Sequence, residues 1–198
     1  MISQAEFFDS YADRWDSMER EDICELVDRV VRESRIRPGM DILDVGTGTG
    51  VTIPCLLKAT NNSCNIRAID ISQGMLRVAK SKISSDKVQF ELADIEDYDC
   101  EDCSFDAVIC NAVYPHFTNK PRVLKRIWSL LRMGGVIVIS HPTGRDAVNK
   151  VHEEAGSVVT EDRVPSVEEM IRVLTESGFG NVSATDEPEF YLVHAIKI

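Results

Sequence analysis

Short, continuously apolar runs alternate with helical stretches through the middle of this chain. The runs are DILDV, IRAID, VQFEL, FDAVIC and GVIVIS, at residues 41–45, 66–70, 88–92, 105–110 and 135–140. Apolar runs of this length predict strands that are buried on both faces of a sheet. Helical spacing recurs between them, at about residues 51–60, 73–83 and 120–132. Strand–helix alternation with short connections predicts a parallel sheet with helices on both sides.

Two helical patterns precede the first of these strands. The first carries an aromatic stripe at spacings of three and four, formed by Phe7, Phe8, Tyr11 and Trp15. The second repeats apolar residues at the same spacings over 23–31, and a Pro-Gly pair then breaks the helix. We therefore expect a helical N-terminal segment at 1–37 and a core at 38–198.

The end of the chain follows a different pattern. A polar stretch at 142–165 comes first, followed by a helix that Ser166 can cap and Gly178 can end. Two strand-like runs follow, NVSATD at 181–186 and FYLVHAIK at 190–197, with only a turn between them. Parallel strands need a connection of about a dozen residues, so this pair must be antiparallel. We predict a doubly wound α/β fold with seven strands, mostly parallel and with an antiparallel C-terminal strand, in a single domain of 198 residues.

Composition and cysteine usage narrow the class of protein. Apolar residues make up 43% of the chain and charged residues 28%, as in ordinary soluble domains. No run approaches about eighteen apolar residues, which argues against a membrane span, and the first residues lack the apolar core of a secretion signal. The six cysteines are therefore expected to be reduced and the chain to be cytoplasmic. Cys100 and Cys103 form a C-x-x-C without a second ligand pair, so we expect no metal.

The formal net charge of the chain is −11. A surface that acidic repels phosphate backbones, which makes nucleic acid a poor substrate. The basic stretch RVLKRIWSLLR at 122–132 has helical spacing, so its cations are expected to form the solvated face of an amphipathic helix. We expect a small-molecule partner instead, and the sequence leaves a homodimer open.

A glycine-rich turn follows the first predicted strand of the sheet. Asp44 stands near the end of that strand, and Gly46, Gly48 and Gly50 alternate in the loop GTGTG. Glycine allows positive φ and lets a ligand lie directly on the backbone. The loop falls at the carboxyl end of a strand, where open α/β sheets bind ligands. Asp70 ends the second strand, where a carboxylate can accept hydrogen bonds from both ribose hydroxyls of an adenosine.

Two classes of nucleotide ligand fit this arrangement, and the glycine spacing separates them. A dinucleotide site reads G-x-G-x-x-G and receives a pyrophosphate at a helix N-terminus. Here the loop reads G-x-G-x-G, the next residue is Val51, and Asp44 stands just before the loop. An acid there would repel pyrophosphate but suits a ligand with a cationic centre and an ammonium group, which is S-adenosylmethionine. A nicotinamide-dependent oxidoreductase and a catalytically silent binding protein on the same fold stay open as alternatives.

Five segments, in order, resemble motifs of the class I S-adenosylmethionine-dependent methyltransferases. They are DILDVGTGTG, AIDIS, LADIED, FDAVICNAVYPHF and LLRMGGVIVIS, between about residues 38 and 141. The N-terminal FFDSYADRWD is similar to the lid helix of the ubiquinone and menaquinone biosynthesis methyltransferases. The resemblance implies a Rossmann-like fold with residues 1–37 as a helical lid. It also implies S-adenosylmethionine as cofactor and in-line transfer of its methyl group to a small molecule.

A set of cofactor contacts is implied by the same resemblance. Those along the methionine and ribose parts are Asp44, Gly46, Thr47, Gly48 and Gly50. Those at the adenosine are Asp70, Ile71, Met75, Asp94 and Ile95. Asp70 would hold the ribose hydroxyls and Asp94 the adenine amino group. Asn111 would face the methionyl part, and Tyr11 would close over the cofactor from the lid.

Candidate acceptor-side residues follow the fourth and fifth strands, on the same edge of the sheet as the glycine loop. The expected acceptor contacts are Tyr114, Phe117 and Arg145. His116 and His141 follow the same strands, and similar proteins often carry a histidine at the position of His116. We expect one of these two histidines to handle the acceptor, with a general-base role if the acceptor is protonated. The polar stretch at 142–165 is expected to shape this end of the pocket.

Overall fold

Seven strands form one sheet in the computed structural model, which describes residues 2–154, 159 and 162–198. The strands are β1 (Asp41–Val45), β2 (Asn65–Asp70), β3 (Val88–Leu92), β4 (Phe105–Asn111), β5 (Leu131–His141), β6 (Phe179–Glu187) and β7 (Phe190–Lys197). Their order is β3-β2-β1-β4-β5-β7-β6. β7 runs antiparallel to both β5 and β6, whereas the pairs among β1 to β5 are parallel. The predicted mostly parallel sheet with an antiparallel C-terminal strand is confirmed.

Helices cover both faces of this sheet. Within the described residues they are α1 (Gln4–Tyr11), α2 (Trp15–Met18), α3 (Ile23–Glu33), α4 (Thr52–Ala59), α5 (Gln73–Lys82), α6 (Lys120–Leu130), α7 (Arg145–Glu154) and α8 (Val167–Glu176). α3 and α4 bury apolar residues on one face, and α6 and α8 bury theirs on the other. This Rossmann-like, doubly wound arrangement explains why β1 and β4 are buried at nearly every position. None of these helices is long and apolar enough to cross a membrane.

One predicted boundary moves because strand pairing overrides the local pattern. α6 ends before residue 131, and β5 begins at Leu131 rather than at residue 135. Leu131 pairs with Phe105, and the register shifts before the next pair. The glycine pair of this segment lies in that shift, with Gly134 at φ 79°. The apolar run therefore marks only the second part of the strand.

The predicted insert at 142–165 contains a helix, α7. Its sequence, RDAVNKVHEE, shows no apolar stripe, and His152 is its buried residue. Residues 155–158, 160 and 161 of the insert lie outside the described residues. Because α7 follows directly from β5, the insert starts at the edge of the sheet where open α/β folds bind ligands.

The N-terminal helices α1 and α2 lie beside α5 and are joined to it by carboxylates. Oδ1 of Asp9 accepts hydrogen bonds from Ser72 Oγ at 2.5 Å and from the Gly74 amide at 2.7 Å. Oδ2 of Asp16 accepts a hydrogen bond from Lys82 Nζ at 2.6 Å. Neither helix contains a buried residue, although Ala12 between them is buried. The assignment of this segment as a lid stays a prediction.

Candidate active site

A cavity of about 170 Å³, partly open to solvent, lies at the carboxyl ends of β1, β2 and β4. This is the edge where the topology of an open α/β sheet places ligands. The predicted site residues that line it are Gly46, Thr47, Gly48, Asp70, Ile71, Met75, Asp94, Ile95, Asn111, His116 and Phe117. The structure therefore brings most of the residues singled out from the sequence to one place.

The glycines of the loop after β1 serve different purposes. Gly46 has φ 65°, and a Cβ there would lie 2.3 Å from Val113 Cγ2. Gly48 has φ 55°, but a Cβ there would meet no protein atom within 4 Å, and the residue borders the cavity. Gly50 packs against Ile83 outside the cavity lining. Gly46 therefore allows close packing of the protein on itself, whereas Gly48 leaves its face open to a ligand.

Asp70 ends β2 as a buried carboxylate on the cavity wall. It is 8% exposed, and its two oxygens accept hydrogen bonds from the amides of Gly48 and Ser72, each at 2.8 Å. Burial raises the pKa of Asp70, while these hydrogen bonds oppose the rise. Ser72 in turn caps α5 by accepting from the Met75 amide at 3.0 Å. The carboxylate is thus fixed between the glycine loop and the start of α5.

Asp44 lies beneath the loop rather than on the cavity wall. It is 1% exposed, and its Oδ2 accepts a hydrogen bond from Thr47 Oγ1 at 2.7 Å. Burial raises the pKa of Asp44 to about 7; the Thr47 hydrogen bond opposes the rise, and the charge of Asp70 adds to it. Thr47 itself lines the cavity. Asp44 therefore acts on the cavity through this hydroxyl and through its charge.

Asn111 lines the cavity from the end of β4, and Asp94 lines it from the segment after β3. Asn111 Oδ1 accepts a hydrogen bond from Ser140 Oγ at 2.8 Å, which leaves the amide nitrogen of Asn111 as a donor. The next residue, Ala112, has φ 55°, a left-handed conformation that favours glycine. Asp94 is exposed and accepts from the Glu96 amide at 2.9 Å at the start of a 3₁₀ turn. The left-handed alanine places backbone strain directly beside the cavity.

His116 lines the same cavity from a 3₁₀ turn after β4. Its Nδ1 is 2.7 Å from Oδ2 of Asp162, and its side chain is 12% exposed. The Phe8 ring meets the imidazole edge-on at 5.3 Å between centroids, and the His152 ring lies 5.1 Å away. Three side chains from different parts of the chain therefore fix this ring. In the part of the chain that the structure describes, no three His, Cys, Asp or Glu side chains are placed to share a metal ion.

His141 and Tyr114 are buried outside the cavity lining. His141 is 3% exposed, and its Nε2 has no hydrogen-bond partner among the described residues. Burial lowers the pKa of His141 to about 3, and the nearby His116 and His152 add to the shift. Burial likewise raises the pKa of Tyr114 to about 12. The direct acceptor contacts expected for these two residues are not seen, because core packing encloses both side chains.

Tyr11 and Arg145 also lie outside the cavity lining. The Tyr11 ring packs on Phe7 at 4.9 Å and under the Arg14 guanidinium at 4.4 Å. Arg145 donates from Nε to Oδ2 of Asp186 at 3.0 Å. The cofactor contact expected for Tyr11 and the acceptor contact expected for Arg145 are therefore not seen in this arrangement.

Several lining residues were not singled out from the sequence as site residues. From the N-terminal segment these are Gln4, Phe8, Trp15, Glu19 and Ile23. From the loops and helix starts they are Thr49, Val51, Thr52, Ala93, Glu96, Ala112, Val113, Thr118 and Pro142. Phe8 and Trp15 belong to the aromatic stripe, and this pattern was the feature of the sequence that could have indicated them as site residues. Glu19 gave no such signal, and burial raises its pKa in the structure.

A family model described as a methyltransferase domain matches residues 36–178 of the chain. The chain is 30% identical over 138 residues to the malonyl-[acyl-carrier protein] O-methyltransferase of Priestia megaterium, a match covering 70% of this chain and 48% of that protein. It is 29% identical over 143 residues to the ubiquinone/menaquinone biosynthesis C-methyltransferase of Geotalea daltonii, covering 68% of this chain and 60% of the relative. The chain spans about half the length of the curated relatives it matches.

A solved structure shares the fold over nearly the whole chain. The SAM-dependent methyltransferase of Aquifex aeolicus superposes with a TM-score of 0.76 at 20% identity, covering 94% of this chain and 98% of that one. The family match extends over most of the sequence. It includes the glycine loop, Asp70 at the end of β2 and Asp94 after β3. This chain belongs to the methyltransferase domain family, and the resemblance of its motifs to the class I S-adenosylmethionine-dependent methyltransferases is confirmed.

Proposed function

We propose that this chain transfers a methyl group from S-adenosylmethionine to a small-molecule acceptor in the cavity. The observation that carries the proposal is the buried Asp70 carboxylate, fixed by the Gly48 and Ser72 amides on the cavity wall. A carboxylate at this place can accept both ribose hydroxyls of an adenosine. Next to it, the open face of Gly48 leaves room for a ligand to lie on the backbone. The residues present therefore fit this cofactor.

A cationic ligand suits the loop better than a dinucleotide does. Asp44 is buried beneath the loop, with its carboxylate bonded to Thr47 on the cavity wall. A pyrophosphate on this loop would meet the charge of Asp44 in surroundings that screen it poorly. A ligand with a sulfonium and an ammonium group would instead favour ionised Asp44. The nicotinamide-dependent oxidoreductase is therefore the weaker alternative.

Eight lining residues have a proposed part in holding the cofactor. The adenine contacts are Ile71, Met75, Asp94 and Ile95. Asp70 would hold the ribose, and Asn111 would offer its amide nitrogen to the methionyl part. Phe8 and Trp15 line the cavity, so we assign to them the closing role first expected of Tyr11.

The cofactor supplies an activated methyl group, so the protein needs mainly to align the acceptor and to exclude water. Alignment for in-line displacement is worth roughly 7–11 kcal/mol. Phe117 and Pro142 supply apolar walls beside His116. Of the two histidines considered, we propose His116 rather than His141 for handling the acceptor, because only His116 lines the cavity.

Charge and the names of the relatives support a small acceptor. The net charge of −11 disfavours nucleic acid, and the relatives are named as O- and C-methyltransferases of malonyl-[acyl-carrier protein] and of ubiquinone/menaquinone biosynthesis. The homodimer that the sequence leaves open stays a prediction. The proposed compartment is the cytoplasm, which suits the six free thiols.

Calorimetric titration with S-adenosylhomocysteine and, separately, with NADH tests the proposal. We expect saturable binding of S-adenosylhomocysteine and no binding of NADH. Saturable binding of NADH alone would overturn the proposal. A screen for methyl transfer across a panel of metabolites then separates an enzyme from a silent binding protein. We expect turnover of at least one acceptor, whereas tight S-adenosylhomocysteine binding with no turnover would favour the silent protein.

A further inference from the structure

A histidine–carboxylate pair borders the cavity after β4. Nδ1 of His116 lies 2.7 Å from Oδ2 of Asp162, and the two side chains are 12% and 17% exposed. An ionised carboxylate only accepts hydrogen bonds, so Nδ1 carries the proton and Nε2 of the neutral ring carries the lone pair. Within the described part of the chain, Nε2 is neither hydrogen-bonded nor among the buried atoms without a partner. Since His116 lines the cavity, this lone pair is available to a ligand.

Asp162 is held in place by α7. Asn149 donates from Nδ2 to the Val164 carbonyl at 3.1 Å and accepts from the Val164 amide at 2.8 Å. One turn later, His152 donates from Nδ1 to the Asp162 carbonyl at 2.8 Å. The i, i+3 spacing puts Asn149 and His152 on one face of the helix. The segment that carries Asp162 is therefore fixed to α7 at two points, and the carboxylate is aimed at His116.

We infer that Asp162 is a positioning residue that holds His116 as a general base for an acceptor with a phenolic hydroxyl group. The inference rests on the proposed methyl transfer and adds to it the class of acceptor and the atom that receives the acceptor's proton. His116 is the catalytic residue of the pair, because its ring borders the cavity. Asp162 acts through His116.

The surroundings of the pair favour a neutral, planar acceptor that must lose a proton. A carboxylate acceptor is already ionised at neutral pH and needs no base. It would also be repelled by Asp162, Glu96 and Asp94, which lie at or beside the cavity. Phe8 and Phe117 present aromatic side chains to the cavity, which suits an aromatic ring. A phenol has a pKa near 10, so it attacks poorly until a base takes its proton.

The proposed step balances with the groups named. The phenol oxygen forms a bond to the methyl carbon while the carbon–sulfur bond breaks, and the electron pair of that bond stays on sulfur as a neutral thioether. The hydroxyl proton moves to Nε2 of His116, and the imidazolium later passes it to water. Asp162 stays ionised and stabilises the imidazolium across the Nδ1 hydrogen bond.

Nitrogen-15 NMR of the histidine rings tests the pair without any acceptor. The chain has four histidines, and the H116Q variant identifies the signal of His116. We expect the wild-type ring to carry its proton on Nδ1 and the D162A variant to change to the Nε2–H form. D146N is the matched control, because Asp146 is an acid of α7 that pairs with Arg145 at 3.1 Å instead. A proton on Nε2 in the wild type would overturn the inference.

Turnover of two probes tests the class of acceptor. A substituted phenol and the matching benzoate are offered with S-adenosylmethionine to the wild type, H116Q and D162N. We expect transfer to the phenol only, reduced about 100-fold or more in H116Q and about tenfold in D162N, in kcat rather than in KM. Three results would each contradict the inference: benzoate methylated as fast as the phenol, an unchanged rate in H116Q, or no transfer to the phenol by protein that binds S-adenosylhomocysteine.

The pH profile separates positioning from a merely structural role. The titratable and charged groups around the His116 ring are Asp162, His152, His141 and Lys120. Only the Asp162 charge is removed in D162N, so the acidic limb of the pH–rate profile should move to lower pH as the imidazolium loses its carboxylate. A structural defect would lower the rate without moving this limb, and that result would count against the positioning role.

Failure of the inference is distinguishable from failure of the proposed function. If S-adenosylhomocysteine does not bind, the proposed methyl transfer is wrong whatever the state of the histidine. If it binds while Nε2 carries the proton, only the inference is wrong. Thermal unfolding of H116Q and D162N checks that both variants fold before either result is interpreted.

Discussion

The cavity lining has two sets of residues, called here the loop end and the histidine end, that are built in different ways. The loop end consists of Gly46, Gly48, Asp70 and Asp94, which end or closely follow β1, β2 and β3. The histidine end consists of Phe8, His116, Phe117 and Pro142, with Asp162 bonded to His116. Neighbouring strands of one sheet therefore supply the first set. The second set draws on the N-terminal helices, the loop after β4 and the insert after β5.

The sheet determines the positions of the residues at the loop end but not of those at the histidine end. The ends of β1 and β2 are held by paired strands on both sides, so their positions have little freedom. The histidine end depends on side-chain contacts between remote segments, such as the one between His116 and Asp162 across 46 residues. Relatives can therefore keep the loop end while the histidine end changes with the acceptor.

The two ends touch at Gly46, and its substitution should have the largest effect. Gly46→Ala would place a Cβ 2.3 Å from Val113 Cγ2 at φ 65°. We expect the free energy of unfolding to fall by about 2–5 kcal/mol, because left-handed strain of about 1–2 kcal/mol adds to overpacking of about 1–3 kcal/mol. Denaturation in urea measures this loss.

Gly39→Ala is the matched control for that variant. Gly39 also has a positive φ, 86°, but a Cβ there meets nothing within 4 Å. In this variant the free energy of unfolding should therefore fall only by the backbone strain, about 1–2 kcal/mol. Adding Val113→Ala to Gly46→Ala should remove the clash and recover the part of the stability that overpacking cost. Equal losses in the two single variants, with no recovery in the double variant, would show that the two ends do not pack on each other at Gly46.

Removal of the Asp70 carboxylate tests the loop end alone. In Asp70→Ala the ribose hydroxyls lose their acceptor, so the affinity for S-adenosylhomocysteine should fall by about 1–3 kcal/mol. Asp99→Ala removes an exposed acid outside the cavity and should leave the affinity unchanged. Calorimetry on both variants makes the comparison. An Asp70→Ala protein that binds as tightly as the wild type would rule out the ribose role.

The charge beneath the loop should make cofactor binding depend on pH. Burial raises the pKa of Asp44 to about 7, so this carboxyl is mostly protonated near pH 6 and mostly ionised near pH 8. A cationic ligand favours the ionised form, and the affinity for S-adenosylmethionine should rise about tenfold over this interval. Calorimetry at constant ionic strength measures the rise, and Asp44→Asn should abolish it.

The same carboxyl has the opposite effect on the ligand-free protein. Its folded pKa of about 7 lies above the ordinary 3.8, so folding favours the protonated form. The stability contributed by Asp44 is therefore lost as the pH rises toward about 7. The Tm of the ligand-free protein should receive a contribution from this group that falls between about pH 4 and pH 7 and then levels off, and Asp44→Asn should remove it. Affinity that falls together with Tm would contradict this account.

The smallest expected effect concerns the N-terminal helices. Trp15 lines the cavity and packs edge-on against Phe8 at 5.8 Å, whereas Tyr11 packs on Phe7. Trp15→Ala should weaken S-adenosylhomocysteine binding by about 0.5–1.5 kcal/mol, and Tyr11→Ala should leave it unchanged. Calorimetry measures binding by both variants, and in Tyr11→Ala the fluorescence of Trp15 in a Trp128→Phe background is a second readout. A larger loss in Tyr11→Ala would restore the contact first expected from the sequence.

The fold could be predicted largely because its signals are local. Continuous apolar runs mark β1, β2, β3 and β4 to within a residue of their observed bounds. β5 starts earlier than its apolar run, because Leu131 pairs with Phe105 ahead of a register shift that no local pattern contains. The helix α7 was not predicted, because its polar sequence, RDAVNKVHEE, has no apolar stripe.

The loop end could be predicted for the same reason, and the histidine end only in part. Glycine spacing and an acid at the end of β2 are short-range signals. The cofactor contact of Tyr11 was implied by the resemblance to the lid helix. A 3₁₀ turn at Ala12–Arg14 follows Tyr11 and places Trp15 beside Phe8. Asp162 had no signal, because it is one acid in a polar stretch and meets its partner only in the folded chain.

The carboxylates that join the N-terminal helices to α5 make this attachment sensitive to salt. Asp13 and Asp16 pair with Arg77 and Lys82 at 2.5 and 2.6 Å, through partly exposed side chains. Ion pairs between exposed side chains contribute only about 0–1 kcal/mol each and weaken as salt rises, whereas the apolar core of the protein does not depend on such pairs. We therefore expect rising ionic strength to weaken the attachment of this N-terminal segment, whose Phe8 and Trp15 line the cavity, while the sheet stays folded.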